Sequence, residues 1–152
     1  MRGLTAVISL LFVALSLGAC GGDDDGDGSS GVDLDGATLT QNLEAAGYTI
    51  EEADEQGLPA TVGSFATNAD SGFEQGYTVT GKGLDQPDPT RVENVVTVLL
   101  YDGGENAKTA FDDLGGETDN RKLAGNGIYM YGGGVNGTPS PKLQPVIDAA
   151  QG

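Results

Sequence analysis

Apolar side chains are spread unevenly along the chain, and their spacing changes character several times. A fourteen-residue apolar run, Leu4 to Leu17, comes first, and residues 21–31, Gly-Gly-Asp-Asp-Asp-Gly-Asp-Gly-Ser-Ser-Gly, then offer nothing that could be buried. From Asp35 onward the pattern becomes periodic. Leu39, Leu43 and Ala46 recur at helical spacing after Asp35 and Thr38, and Gly47 is a natural stop, so a helix over residues 36–46 is predicted. Tyr48-Thr49-Ile50 reads as a strand that runs into the acidic patch Glu51, Glu52, Asp54 and Glu55. Between residues 58 and 70 the signal is thin, with Val62 and Phe65 its firm apolar positions, and a weak strand is expected there.

The second half is better patterned. Tyr77-Thr78-Val79-Thr80 is β-branched or aromatic and ends at the turn Gly81-Lys82-Gly83, after which Pro87 and Pro89 require a loop over residues 84–90. Within residues 92–101, Val95, Val96, Val98, Leu99 and Leu100 form a nearly continuous apolar run, the mark of a strand covered on both faces and the expected centre of the sheet. Asp102-Gly103-Gly104 interrupts it. Ala107, Ala110, Phe111 and Leu114 then place a stripe on a helix ending at Gly115-Gly116, and residues 123–131 return as a strand. Leu143, Val146, Ile147 and Ala150 face one side of a last helix, capped by Ser140 or a neighbour, with Pro141 and Pro145 in its first turns. The order implies an α+β fold: a small, mainly antiparallel sheet of four to five strands with about three helices packed on one face. The expected organisation is a leader at 1–19, a spacer at 20–31 and one globular domain at 32–152.

The leader carries the most specific signal. Arg2 supplies a positive n-region, Leu4 to Leu17 the apolar core, and the small residues Gly18 and Ala19 precede Cys20, which is the layout of a cleaved secretory signal. The apolar core falls short of the roughly 20 residues that cross a bilayer. Leu17-Gly18-Ala19-Cys20 also resembles the lipobox of bacterial lipoproteins, and the resemblance covers about the first twenty residues. It implies cleavage between Ala19 and Cys20 and lipidation of Cys20, with acyl chains such as palmitate holding the mature chain to the membrane. Two or more chains are what stable anchoring needs, because one gives only marginal, reversible binding. In the same family an aspartate after the cysteine signals inner-membrane retention. Gly21 stands there, so the resemblance implies the extracytoplasmic face of the cell membrane, or the outer membrane in an organism with two.

Charge narrows the partners. The whole chain carries −16, and removal of the leader with Arg2 leaves 6 basic against 23 acidic side chains, about −17. Nucleic acid is excluded as a natural partner, since binding it depends on neutralising phosphates with Lys and Arg. Such a surface also stands off anionic headgroups. The chain has one Cys and no His, so with Cys20 committed to lipid there is no disulfide and no Cys- or His-based metal site.

The remaining motifs weaken on inspection. Asp23, Asp25, Asp27 and Gly28 match the opening of a calcium loop, but the twelfth position is Leu34 where a bidentate Glu is required, and an acidic spacer explains the same residues. Gly132, Gly134 and Gly137 spell G-x-G-x-x-G, yet the chain ends fifteen residues later, before the acidic residue that would hold a ribose, and no cofactor is expected. Without His or a free thiol, Ser-His-Asp and Cys-His catalysis are excluded. Ser140 and Lys142 are two positions apart and point to different helix faces. Adjacent carboxylates, Asp112 with Asp113 and Glu51 with Glu52, also diverge. Asn136-Gly137-Thr138 is a glycosylation sequon by pattern only.

Tyr129 and Tyr131 fall on one side of their strand and Met130 on the other. Exposed, the two tyrosines would form a partner surface beside the glycines; half-buried, they are core residues with solvated hydroxyls. The sequence therefore leads to an acidic, lipid-anchored binding or envelope-interaction module, for an envelope protein or a small ligand. An envelope-acting enzyme or enzyme accessory using carboxylates is the first alternative, and a passive acidic surface protein the second.

Overall fold

The computed structural model describes residues 31–53, 58, 62, 69–84, 95–132 and 142–152. The first helix, α1 (Gly36–Ala45), starts where Asp35 adopts an extended backbone and its carboxylate accepts the Thr38 N–H at 2.7 Å, satisfying one of the donors a helix start leaves open. That hydrogen bond holds the Asp35 carboxyl below its usual range. The helix buries Leu39 and Leu43 and ends before Gly47, whose φ of +89° suits glycine.

Five strands follow: β1 (Tyr48–Ala53), β2 (Phe73–Gly81), β3 (Val96–Tyr101), β4 (Arg121–Ala124) and β5 (Gly127–Tyr131). They form one antiparallel sheet in the order β1-β2-β3-β5-β4, with Tyr48 opposite Gly81, Val79 opposite Val96, Val98 opposite Tyr129 and Leu123 opposite Ile128. The register shifts between Phe73 and Gln75, a bulge at the start of β2. As the apolar run demanded, β3 is the middle strand and all six of its residues are buried.

Helix α2 (Gly104–Asp113) follows β3, and α3 (Leu143–Gln151) ends the chain. The α+β class and, among the described residues, the five antiparallel strands and the three named helices match the sequence expectation; the placement of the helices does not. One apolar cluster joins Leu39 and Leu43 of α1 and Val146 and Ala150 of α3 to Val96, Val98, Leu100 and Tyr129. The other joins Ala107, Ala110 and Phe111 of α2 to Leu99, Tyr101, Ile128 and Met130. The helices therefore divide between the two sheet faces. The reason is the β3 run itself: alternate side chains of a strand point to opposite faces, so a strand apolar at every position needs cover on both. Leu58 and Val62 join the α2 side, where a weak strand was expected, and Ala69–Ser71 form one 3-10 turn.

Residues 123–131, expected as one strand, are the core of a hairpin. Gly125, at φ +54°, and Asn126 make a two-residue turn between β4 and β5, the glycine-first pattern of a type II′ connection. Consequently β4 becomes an edge strand.

Candidate binding groove

The Asn126 side chain ties the start of the fold to the sheet. Its Oδ1 accepts the Leu34 N–H at 2.8 Å, and its Nδ2 donates to Leu34 O at 2.9 Å and Tyr101 O at 2.6 Å. An amide thus stands in for a β-strand neighbour, pairing both backbone groups of Leu34. Just upstream, the Val32 N–H donates to Gln151 Oε1 at 2.7 Å, while the Val32 carbonyl lies against Gly125 so closely that no Cβ fits there. Residues 31–34 therefore strap the β4–β5 turn to α3.

This strap closes one end of a groove of about 710 Å³ that runs along the free edge of β4 between α2 and α3. The two helices lie on opposite sheet faces, so they rise on either side of the edge strand. Phe111 and Leu123 form the floor on the α2 side, Ala124 and Ile147 on the α3 side. Val32, the large apolar residue most open to solvent among those described, at 66 % exposed, stands at the strap end.

The walls are polar. On α2, Lys108 Nζ lies 2.8 Å from Asp112 Oδ2, an exposed pair one helical turn apart. On α3, Gln144 accepts from Lys122 Nζ at 3.0 Å and donates to Asp148 Oδ1 at 2.8 Å, so Lys122 leans from β4 toward α3. Glu117, in the connection after α2, completes the lining and has no ion-pair partner among the described residues. Arg121 is not a surface cation. It is buried, its Nε donates to Gly116 O at 2.8 Å, and burial lowers its pKa; it serves to hold the 115–118 turn beneath β4.

The hydrogen-bond pattern of β4 decides what the groove can offer. Tyr131 N–H donates to Asn120 O at 2.9 Å, and in an antiparallel ladder such bonded positions alternate. Lys122 and Ala124 thus direct their backbone groups to β5, whereas Arg121 and Leu123 direct theirs outward. Arg121 is already served, exchanging both bonds with Thr118 at 3.0 and 3.1 Å. Leu123 keeps an outward N–H and C=O with no partner among the described residues.

The sequence-predicted positions fare differently. Tyr129 and Tyr131 do share a face, but Tyr129 is fully buried in the core and Tyr131 is half-buried against it, so the tyrosine pair does not form a partner surface. The sheet order is the reason: β5 lies between β3 and β4, and α3 covers that face. Burial pushes the Tyr129 hydroxyl up to about 12. Asp112, Asp113, Glu51 and Glu52 are all exposed, the last two on opposite faces of β1. Ala19, Cys20, Asp23, Asp25 and Asp27, the glycines at 134 and 137, and Ser140 lie outside the described residues. Among those described, no three acidic or sulfur ligands gather to hold a metal ion, and no helix is long and apolar enough to cross a membrane.

Sequence reasoning missed Asn126 and the β4 edge. The dipeptide Gly125-Asn126 was the available signal, since a glycine-first pair between apolar runs marks a hairpin. Comparison of the chain with protein-family models, characterised proteins and solved structures finds no match.

Proposed function

We propose that the protein is a lipid-anchored extracytoplasmic binding module that uses the β4 groove to hold a partner close to the membrane. The observation that carries this reading is the position of the groove: it opens beside Gly31 and Val32, the described residues nearest to Cys20 in sequence. Ten residues lie between Cys20 and Gly31, which makes eleven Cα–Cα steps. Fully extended they reach about 36–40 Å, and as a Gly-rich coil they average about 18 Å. The groove is thereby presented within a few tens of ångströms of the anchor, while the mature chain's net charge of about −17 keeps the domain from settling on anionic lipid. An apolar floor with a polar rim is the ordinary make-up of a binding site.

Mass spectrometry of the mature N-terminus tests the anchor. Diacylglyceryl-modified Cys20 is the expected product, and Cys20→Ser should release the chain from the membrane fraction. An unmodified Cys20 or an uncut leader refutes lipid anchoring. For the module itself, a photocrosslinker at Gln144 or Asp148 should capture a partner in the native envelope, whereas one at Glu51, at the far edge of the sheet, should not. Equal capture at both positions would remove the groove from the reading.

A further inference from the structure

An edge strand with a free ladder position, set between two helices, has the form of a site for an added strand. Here that position is unusually well defined. Thr118 occupies both outward groups of Arg121, and the strap crosses the turn beyond Ala124, so within β4, among the described residues, Leu123 alone can exchange backbone hydrogen bonds with an incoming chain. A peptide residue opposite Leu123 would donate to its carbonyl and accept from its N–H. Because side chains alternate, that residue would face Phe111 and Leu123, and its neighbours would turn toward Ile147 and Asp148.

Charge selects the occupant. Asp112 answers Lys108, Lys122 leans on neutral Gln144, and Glu117 and Asp148 leave the groove with a net negative charge inside a domain that is itself strongly acidic. A second copy of the mature chain would bring another charge of about −17 to the same edge. Residues 21–30 carry Asp23, Asp24, Asp25 and Asp27 and no side chain that could meet Phe111 or Ile147. Both are repelled. We propose that the groove binds a short basic segment of a partner protein, bridged to β4 at Leu123 alone, with an apolar side chain at the paired residue and lysine or arginine directed to Asp148 and Glu117. This rests on the reading of the groove as the binding surface.

The probe is acetyl-Thr-Lys-Val-Lys-Thr-amide, followed by NMR with the chain from Cys20 to Gly152. The expected result is a shift of the Leu123 amide with slowed hydrogen exchange, weakening as salt is raised. N-methylation of the central valine removes its donor and should weaken binding about tenfold, the loss of one good hydrogen bond. Glutamate in place of both lysines should abolish it, and Asp148→Asn should weaken it, without any change in the fold of the free protein. A Leu123 amide that does not respond, or binding equally strong for the N-methylated or glutamate peptide, overturns the bridge at Leu123. That result leaves the Cys20 mass and the groove crosslinks as they are, so failure of this proposal is distinguishable from failure of the module reading.

Discussion

Asn126 offers the sharpest test of how this fold is held together. Replacing it with alanine removes three hydrogen bonds at once, of 2.8, 2.9 and 2.6 Å, and strands the N–H and C=O of Leu34 and one lone pair of the Tyr101 carbonyl. Leu34 is 8 % exposed and Tyr101 is 0 %, so water does not readily replace the amide. Buried hydrogen bonds contribute about 0.5–1.5 kcal/mol each net, and groups left unsatisfied cost about 1–3 kcal/mol. A loss of about 3 kcal/mol is therefore expected for Asn126→Ala. Urea unfolding of the chain from Cys20 to Gly152 measures it, and a fall in melting temperature of about 10 °C should accompany it. Asn126→Asp adds a sign. The carboxylate keeps an acceptor for the Leu34 N–H but faces two carbonyls, so its folded pKa is raised. It should be worse than alanine at neutral pH and recover as pH falls toward the unfolded carboxyl value of about 4, where the protonated form regains a donor. In hydrogen exchange the Leu34 amide should lose its protection in Asn126→Ala. A loss below about 1 kcal/mol, or a protected Leu34 amide in that variant, would refute the bridging role assigned to this side chain.

Three further outcomes are expected. Gly125→Ala should destabilise by more than about 1 kcal/mol in thermal melts, because φ is +54° and a Cβ would meet the Val32 carbonyl. Leu99→Ala, in the fully buried centre of β3, should cost about 2–5 kcal/mol by denaturant titration. Burial pushes the Tyr101 and Tyr129 hydroxyls up to about 12. Their neutral forms are favoured by folding, so this contribution is intact below pH 10 and is lost as pH rises from about 10 to 12. An absorbance titration should show these two ionising late and together with alkaline unfolding, and free titration near pH 10 in the folded state would contradict their burial.

Local features of the fold were legible wherever one residue type has one main use. Asp35 before a helical stripe is a cap, Gly47 is a stop, and the valine and leucine run of β3 is a covered strand. The run also contained the two-sided layering, because a strand apolar at every position needs cover above and below. The β4–β5 hairpin was hidden because Leu123, Ala124 and residues 127–131 are apolar on both sides of a two-residue turn, so hydrophobic periodicity runs across it unbroken. Tyr129 and Tyr131 show the limit of alternation, which put them on a common face but could not say whether that face was covered.

By itself, the sequence determined the lipobox-like Leu17 to Cys20, the acidic Gly/Asp/Ser stretch after it, the strongly negative net charge and the identity of the central strand. These are properties of composition or of neighbours along the chain, and no folding is needed to read them. Tertiary structure decided the groove. Leu123 in β4, Lys108 in α2, Asp148 in α3 and Val32 in the strap are far apart in sequence and meet only because β5 turns back at Gly125-Asn126 and leaves β4 at the sheet edge between helices on opposite faces. A free backbone N–H and C=O at one position of an edge strand follow from strand order and register, which are set by long-range pairing.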